Sequence, residues 1–552
     1  MGIKLNNQPV GRTSIFVALL ASVGGMMFGA NFLPNPNARF SGQARLTMYR
    51  FADIRTHCDI DGHNCEEYEF TKVREGLIVA LLSIGTMFGS LFGAPFADMM
   101  GRKMAMSIDC LVFSIGIIVQ ITSEHVWQQF AVGRLIAGLG IGALSAIIPI
   151  YVSECVVAAF RGTAVACYQL MVTLGILLAY VFSYGTRPLS GSASWRIVVG
   201  LALALSLILG IGLWTLPESP RWLVRRKRFD EAKHALARIR GAKSEFEGTV
   251  VEHDFLDIAS KMEMEEQTKS SFWQSWAECF VGTPATHKLV YRTFVGVMLQ
   301  SFQQLTGANY FFYYGATIFK SVGIQDSFVT QIILGAVNFF CTFFGLYVME
   351  KFGRRNPLVF GGFWQGAWLV VFAAAGTAKD PTPTEEIPNG RPQIGYLMIV
   401  SACLFIASFA STYGPGSWII TGETFPMSHR ARQASIATAS NWVWNFLISF
   451  FSPFIAGDIG FAYGFVFAGC NFFLGAFIYL FLYETAGLSL EAVDEMYSTK
   501  RLKPWQSTSW APEGYNHRRD LMESSKLDSY HVEDSSKEKK DDNQKRFIDE
   551  TV

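Results

Sequence analysis

The sequence is poor in charge. Asp, Glu, Lys and Arg make up 16% of its 552 residues and hydrophobic types 50%, where a soluble domain carries roughly 25% charge, so an ordinary soluble enzyme is excluded as the starting class. An excess of either sign is missing as well: 46 basic residues face 45 acidic ones, interleaved, for a net charge of +1. No basic field suited to DNA or RNA follows, and no nucleic-acid partner is expected. Cysteines spaced for a metal or redox centre are absent. The nine present are scattered without a Cys-x-x-Cys, and Cys110, Cys167, Cys341 and Cys470 sit in apolar runs where cysteine behaves as a small hydrophobe. There is no Walker A loop, paired-carboxylate set or nucleophile–base constellation, so ATP-driven work, enzymatic catalysis, a metal and other cofactors have no support. Cys58 and Cys65 differ from the rest, because both lie in the polar stretch after the first apolar run. Cys58 and Cys65 are candidates for a loop disulfide if that stretch is extracellular.

What the chain has in abundance is long apolar runs. A crossing of a roughly 30 Å hydrocarbon core takes about 20 such residues, and twelve windows qualify: 14–33, 76–99, 104–123, 127–153, 163–184, 195–216, 288–312, 327–349, 357–376, 394–420, 433–455 and 461–482. The first is too long for a cleavable signal peptide and lacks a small-residue cleavage site, so it reads as a span. The predicted fold is an all-α membrane protein with twelve transmembrane helices in two pseudo-symmetric six-helix halves. Its parts are a cytoplasmic N-terminus (1–13), a first bundle (14–216) with an extracellular loop at 34–75, a helical cytoplasmic linker (217–287), a second bundle (288–483) and a cytoplasmic tail (484–552). In the linker, Phe229, Ala232, Leu236 and Ile239 recur at helical spacing, as do Phe255, Leu256, Ile258 and Met262. The tail from Lys500 is rich in Ser, Lys, Asp and Glu without apolar periodicity, a composition of disorder. Short loops on the linker side hold Arg102, Lys103, Arg161, Lys351, Arg354, Arg355, Arg430 and Arg432, which puts both termini in the cytoplasm by the positive-inside rule.

The halves repeat each other. Asp98-x-x-Gly101-Arg102-Lys103 after the second span matches Glu350-x-x-Gly353-Arg354-Arg355 after the eighth, and Glu154 precedes Arg161 by the same seven residues that separate Glu423 from Arg430. Topology alone explains the arginines but not the matched acids. Asp98, Arg102, Glu154 and Arg161, with Glu350, Arg354, Glu423 and Arg430, are therefore assigned to a gate of ion pairs that join the halves in one state and separate in another. Duplicated six-span halves with a polar bridge are the plan of a transporter whose site lies at the midplane between them.

Polar side chains inside spans are costly unless they face a cavity. Here they are uncharged amides: Gln169, Gln303, Gln304, Asn309, Asn338, Asn441 and Asn445. Several converging amides suit a neutral polyol, since each offers donors and an acceptor, with Trp418 and Tyr314 as apolar faces for ring C–H surface. One amide alone reads as helix–helix glue; the set reads as a site. In a continuous helix Gln304 and Asn309 lie about 140° apart and converge only if the span breaks, which Gly307 permits. Asn441 and Asn445, at i and i+4, share a face. Gly138, Gly140 and Gly142 form a small-residue packing surface, and Asp109 is placed to snorkel toward cytoplasmic water.

These residues together resemble the sugar porter family of the major facilitator superfamily from about Ser14 to Tyr497. The resemblance rests on Gly101-Arg102-Lys103, PIYVSE with Arg161-Gly162, PESPRWL from Pro217, QQLTGANYFFYYG from Gln303, EKFGRR, and the Glu-Thr-Phe-Pro run with Arg430. Spans seven and eight look most like fungal hexose transporters of the yeast type. The resemblance implies that Gln169, Gln303, Gln304, Asn309, Asn338, Trp418 and Asn441 line a sugar site, that Gly414-Pro415 unwinds span ten, and that the cytoplasmic charges latch the outward-facing state. Two positions depart from the family pattern: Ala486 stands where Lys is usual, and Asn31 where proton-coupled relatives carry a titrating Asp. The expected function is a monomeric plasma-membrane hexose carrier working as a uniporter, with proton symport as the alternative. A transporter-like sugar sensor, and a disaccharide, polyol or cyclic acid as substrate, are the further readings.

Overall fold

The computed structural model describes residues 3–5, 8–10, 12–30, 54–58, 65–69, 72–123, 126–156, 161–186, 188–189, 192–241, 251–252, 255–256, 258–260, 272–283, 287–321, 327–378, 392–426, 428–488, 490–499 and 501–512. Two short antiparallel pairs flank the first span in sequence, β1 (Ile3–Leu5) with β2 (Gln8–Val10) and β3 (Ile54–Cys58) with β4 (Cys65–Glu69). The second pair sets Cys58 directly opposite Cys65 in register; their side chains lie outside the described residues.

The other regular elements among the described residues are helices, as the spans must be where no water is at hand to pair backbone N–H and C=O groups. The first half is α1 (Arg12–Ala30), α2 (Lys72–Met100), α3 (Arg102–Ile121), α4 (Trp127–Cys155), α5 (Arg161–Thr186) and α6 (Ala193–Leu213). The linker holds α7 (Pro220–Arg225), α8 (Phe229–Arg240) and α9 (Phe272–Val281). The second half is α10 (Leu289–Leu305), α11 (Ala308–Ser321), α12 (Ser327–Lys351), α13 (Arg355–Thr377), α14 (Pro392–Ser411), α15 (Tyr413–Thr424), α16 (Arg430–Ile459) and α17 (Tyr463–Phe481), followed by α18 (Leu490–Ser498).

Among the described residues ten helical stretches are long and apolar enough to cross a membrane. One of them, 430–481, turns back at Gly460–Ala462 and crosses twice, and the paired half-helices α10 and α11 add a further crossing, which gives the twelve crossings expected. The halves meet along α2 against α16 and α5 against α12. Within the first half, backbones touch at the small-residue surface of α4: a Cβ at Gly138 would lie 2.3 Å from the Leu82 carbonyl oxygen, and one at Gly142 2.1 Å from that of Thr86.

Among the described residues two crossings are interrupted, each for a local reason. Between α10 and α11 the chain turns at Gly307, with φ of 92°, a conformation that costs a side-chain-bearing residue roughly 1–2 kcal/mol. A Cβ there would also lie 2.7 Å from the Phe467 ring. Gly307→Ala is therefore expected to lower the thermal unfolding temperature of the detergent-solubilised protein, whereas Gly469→Ala, where an added Cβ meets nothing within 4 Å, leaves it unchanged or higher; equal effects would refute the strain. The other break falls at Thr412, between α14 and α15, and not at Gly414-Pro415. Pro415 sits in the first turn of α15, where a missing N–H costs no bond and the fixed φ is already helical.

The linker packs Trp222, Leu236, Val251 and Phe255 into a core of its own. Ser219 caps α7 through the Trp222 N–H, and Gly241, in the left-handed region, ends α8. Residues 501–512, at the start of the tail, are folded where composition alone suggests disorder. They fold back, with Ser507 accepting from the Glu484 N–H at 2.8 Å and Trp505 stacked on Tyr479. Specific contacts of this kind leave no periodic signal in sequence. Residues 513–552, like Met262, lie outside the described residues.

Candidate functional site

Between the halves lies a cavity. Gln169 and Tyr168 enter it from α5, Gln303 and Gln304 from α10, and Asn309 from α11. Asn338 of α12, Trp418 of α15 and Asn441 and Trp442 of α16 complete its polar and aromatic lining. Phe28 of α1 packs edge-on against Trp442 at 5.1 Å, and Tyr168 edge-on against Trp418 at 5.9 Å.

The break at Gly307 brings together amides that a continuous helix would separate. Asn309 Nδ2 donates to Gln304 Oε1, and Gln304 Nε2 donates to Asn441 Oδ1 at 2.7 Å. Asn441 Nδ2 in turn donates to Gln303 Oε1 at 2.6 Å and to Gln300 Oε1 at 2.8 Å. Two amides stand apart from this mesh. Asn338 is buried with no donor for its Oδ1, and Gln169 makes no hydrogen bond among the described residues.

Seven of the nine side chains singled out from sequence line this cavity: Gln169, Gln303, Gln304, Asn309, Asn338, Trp418 and Asn441. Two do not. Tyr314, five residues and so about 140° around α11 from Asn309, turns away and donates to the Ser449 carbonyl at 2.6 Å. Asn445 lies one turn beyond Asn441, and its Oδ1 accepts from Ser83 Oγ at 2.6 Å and Tyr313 Oη at 3.1 Å, so it ties α2 of the first half to α16 and α11 of the second. Phe28, Tyr168, Trp442 and the hub Gln300 escaped the sequence reading. Only Gln300 left a signal, as the third member of an amide stripe with Gln303 and Gln304.

A family model described as "Sugar (and other) transporter" matches residues 17–497. The chain belongs to this sugar transporter family. It is 42% identical over 463 residues to the low-affinity glucose transporter HXT3 of Saccharomyces cerevisiae, covering 83% of this chain and 80% of that protein. It is 39% identical over 494 residues to the high-affinity glucose transporter ght2 of Schizosaccharomyces pombe, covering 90% and 89%. Among solved structures, the proton:xylose symporter XylE of the major facilitator superfamily, bound to 6-bromo-6-deoxy-D-glucose, matches with a TM-score of 0.71 at 22% identity over 88% of this chain and 99% of that one. That likeness establishes the superfamily fold. Family and apolar helices together make the transporter a multi-pass membrane protein.

At the linker face, the transporter carries two near-identical charge networks, one in each half. In the first, Arg102 pairs with Asp98 at 2.8 Å and with Glu154 at 3.1 Å, and Ser219 Oγ donates to Glu154. In the second, Arg354 pairs with Glu423 at 2.9 Å, and Thr485 Oγ1 donates to Glu423 at 2.7 Å. A second acid seats each helix start: Glu218 accepts from the backbone N–H of Arg102 at 3.0 Å, and Glu484 from that of Arg354 at 3.0 Å. Such carboxylates satisfy N–H groups that have no partner within the helix. Burial raises the Glu218 carboxyl above its ordinary range, and the N–H groups of Ser219, Lys103 and Arg102 oppose that rise. The Glu218-Ser219 and Glu484-Thr485 dipeptides are a third internal repeat, legible in sequence but not singled out there.

These pairs lie within each half and not between the halves, contrary to the expected gate. The reason is geometric: each arginine starts a helix whose neighbour in the same half ends in the glutamate. The halves touch through other groups, with Thr163 donating to Glu350 and Arg354 packed so that a Cβ on Gly162 would lie 3.3 Å from its Nη2. Arg430 donates to the Gly422 carbonyl, and the Arg161 side chain lies outside the described residues. Asp109 does not snorkel. It lies on the same packed face of α3 as Arg102 and Phe113, 7% exposed, with its Oδ2 unpartnered.

Proposed function

We propose that the transporter carries glucose or a related hexose across the plasma membrane by alternating access, as a facilitative uniporter with both termini in the cytoplasm. One observation carries this reading: a cavity between the halves is lined by neutral amides, and one of them, Asn338, keeps a buried acceptor without a donor. A sugar hydroxyl supplies that donor, relieving a penalty of about 1–3 kcal/mol. Gln169 reaches in from the first half and Asn338 from the second, so one sugar engages both and draws the halves together. Weak binding serves the cycle, because a millimolar dissociation constant is only about 4 kcal/mol and lets the sugar leave as it entered. The names of the two yeast relatives point to glucose.

Uniport is supported by Asn31, which cannot take up a proton at physiological pH, though it lies outside the described residues, and by a cavity lining without a carboxylate among the described residues. The orientation is supported by the linker face, where Arg102, Lys103, Arg354 and Arg355 gather. Labelled glucose uptake in a host lacking its own hexose carriers tests the assignment. Uptake is expected, competed by unlabelled hexoses and unchanged in initial rate by a protonophore. Absence of competition by any hexose would reject the substrate, and abolished concentrative uptake would reject uniport.

A further inference from the structure

A second opening lies on the linker face, away from the sugar cavity. It is a cleft open to solvent, walled by Pro95, Asp98 and Met99 of α2, Arg225 of α7 and Arg226 just after it, and Ala431 and Arg432 of α16. First half, linker and second half each contribute a wall. Three guanidinium groups face one carboxylate, and that carboxylate is already engaged, its Oδ1 paired with Arg102 at 2.8 Å. Arg225 reaches only its other oxygen, at 3.7 Å. Arg226 is held in place by the Met99 carbonyl and by the Trp222 ring, 5.5 Å beneath its guanidinium. Arg432 has no ion pair among the described residues. The excess of positive charge sits in a concavity whose protein walls focus its field more than an open surface would.

We infer that this cleft binds a phosphate-bearing dianion, which by touching both halves and the linker at once holds the linker face closed and slows turnover. Guanidinium forks match phosphate oxygens in bidentate geometry, and two negative charges balance the excess that Asp98 leaves. A ligand contacting three bodies binds only the arrangement that brings them together, so by linkage it stabilises that arrangement against opening. The chemistry is that of a phosphomonoester or pyrophosphate, from a soluble metabolite or from the headgroup of a phosphorylated lipid.

Binding is read first without sugar, so failure of the hexose assignment leaves the result standing. Full-length protein in neutral detergent is titrated with inorganic pyrophosphate, with chloride at matched ionic strength as control, and its unfolding temperature followed. In parallel the protein is placed in phosphatidylcholine vesicles with and without phosphatidylinositol phosphate. The expected result is a rise in unfolding temperature that chloride does not reproduce, with binding weakened about tenfold for each of Arg225→Gln and Arg432→Gln. Both side chains are at least partly exposed, so folding is not at stake. A response to pyrophosphate identifies a soluble ligand, and one to the phosphorylated lipid alone a headgroup. No response in either arm, or an equal one in the double variant, overturns the site. Binding without slower glucose uptake in the loaded vesicles overturns the bridging role.

Discussion

Glu423→Ala is expected to destabilise the transporter by about 2–3 kcal/mol, below the roughly 3–5 kcal/mol for breaking a fully buried ion pair from one side, because the Glu423 side chain is 22% exposed. The Arg354 guanidinium, with a side chain 9% exposed, would lose both oxygens of its partner and keep the Met349 carbonyl at 3.1 Å and the charges of Glu484 and Glu350 farther off. Removing both charges is far gentler, because no unpaired ion is left in a low-dielectric site. The double variant Arg354→Leu with Glu423→Leu should therefore unfold at a higher temperature than Glu423→Ala alone. If the single variant proves no less stable than the double, the network is not the buried ion pair described above.

Gln304→Ala is expected to reduce transport efficiency by roughly 10–100-fold at unchanged abundance in the membrane. Gln304 lines the cavity and is held by Asn309, Asn441 and, at 3.4 Å, Asn445, so its loss leaves a desolvated sugar hydroxyl without that partner at about 1–3 kcal/mol, where 1.4 kcal/mol is tenfold. Tyr314→Phe is the matched control. It removes the bond to the Ser449 carbonyl outside the cavity and should cost about 1 kcal/mol of stability without changing the KM for glucose. A KM that rises in Tyr314→Phe and stays constant in Gln304→Ala would reverse the placement of the two side chains.

The amides of the cavity were legible because an apolar span makes any polar side chain conspicuous, and the break at Gly307 because Gln304 and Asn309 have no other way to meet. Tyr314 and Asn445 were not, for a common reason. Residue type tells what a side chain offers, but not whether a neighbour in another helix has already taken it, as Ser449 and Ser83 do. The charge repeat shows the same limit. Spacing picks out Arg102, Glu154, Arg354 and Glu423 but carries nothing on whether their pairs run within or across halves, which is why the expectation of pairs across the halves fails.

Hydropathy along the chain sets the number, order and duplication of the crossings, since a segment enters lipid on its own composition and carries its backbone hydrogen bonds with it. Which groups share a cavity, and which are spent on packing, depends on the rotation of each helix and on partners hundreds of residues away. That choice exists only once the two halves are assembled.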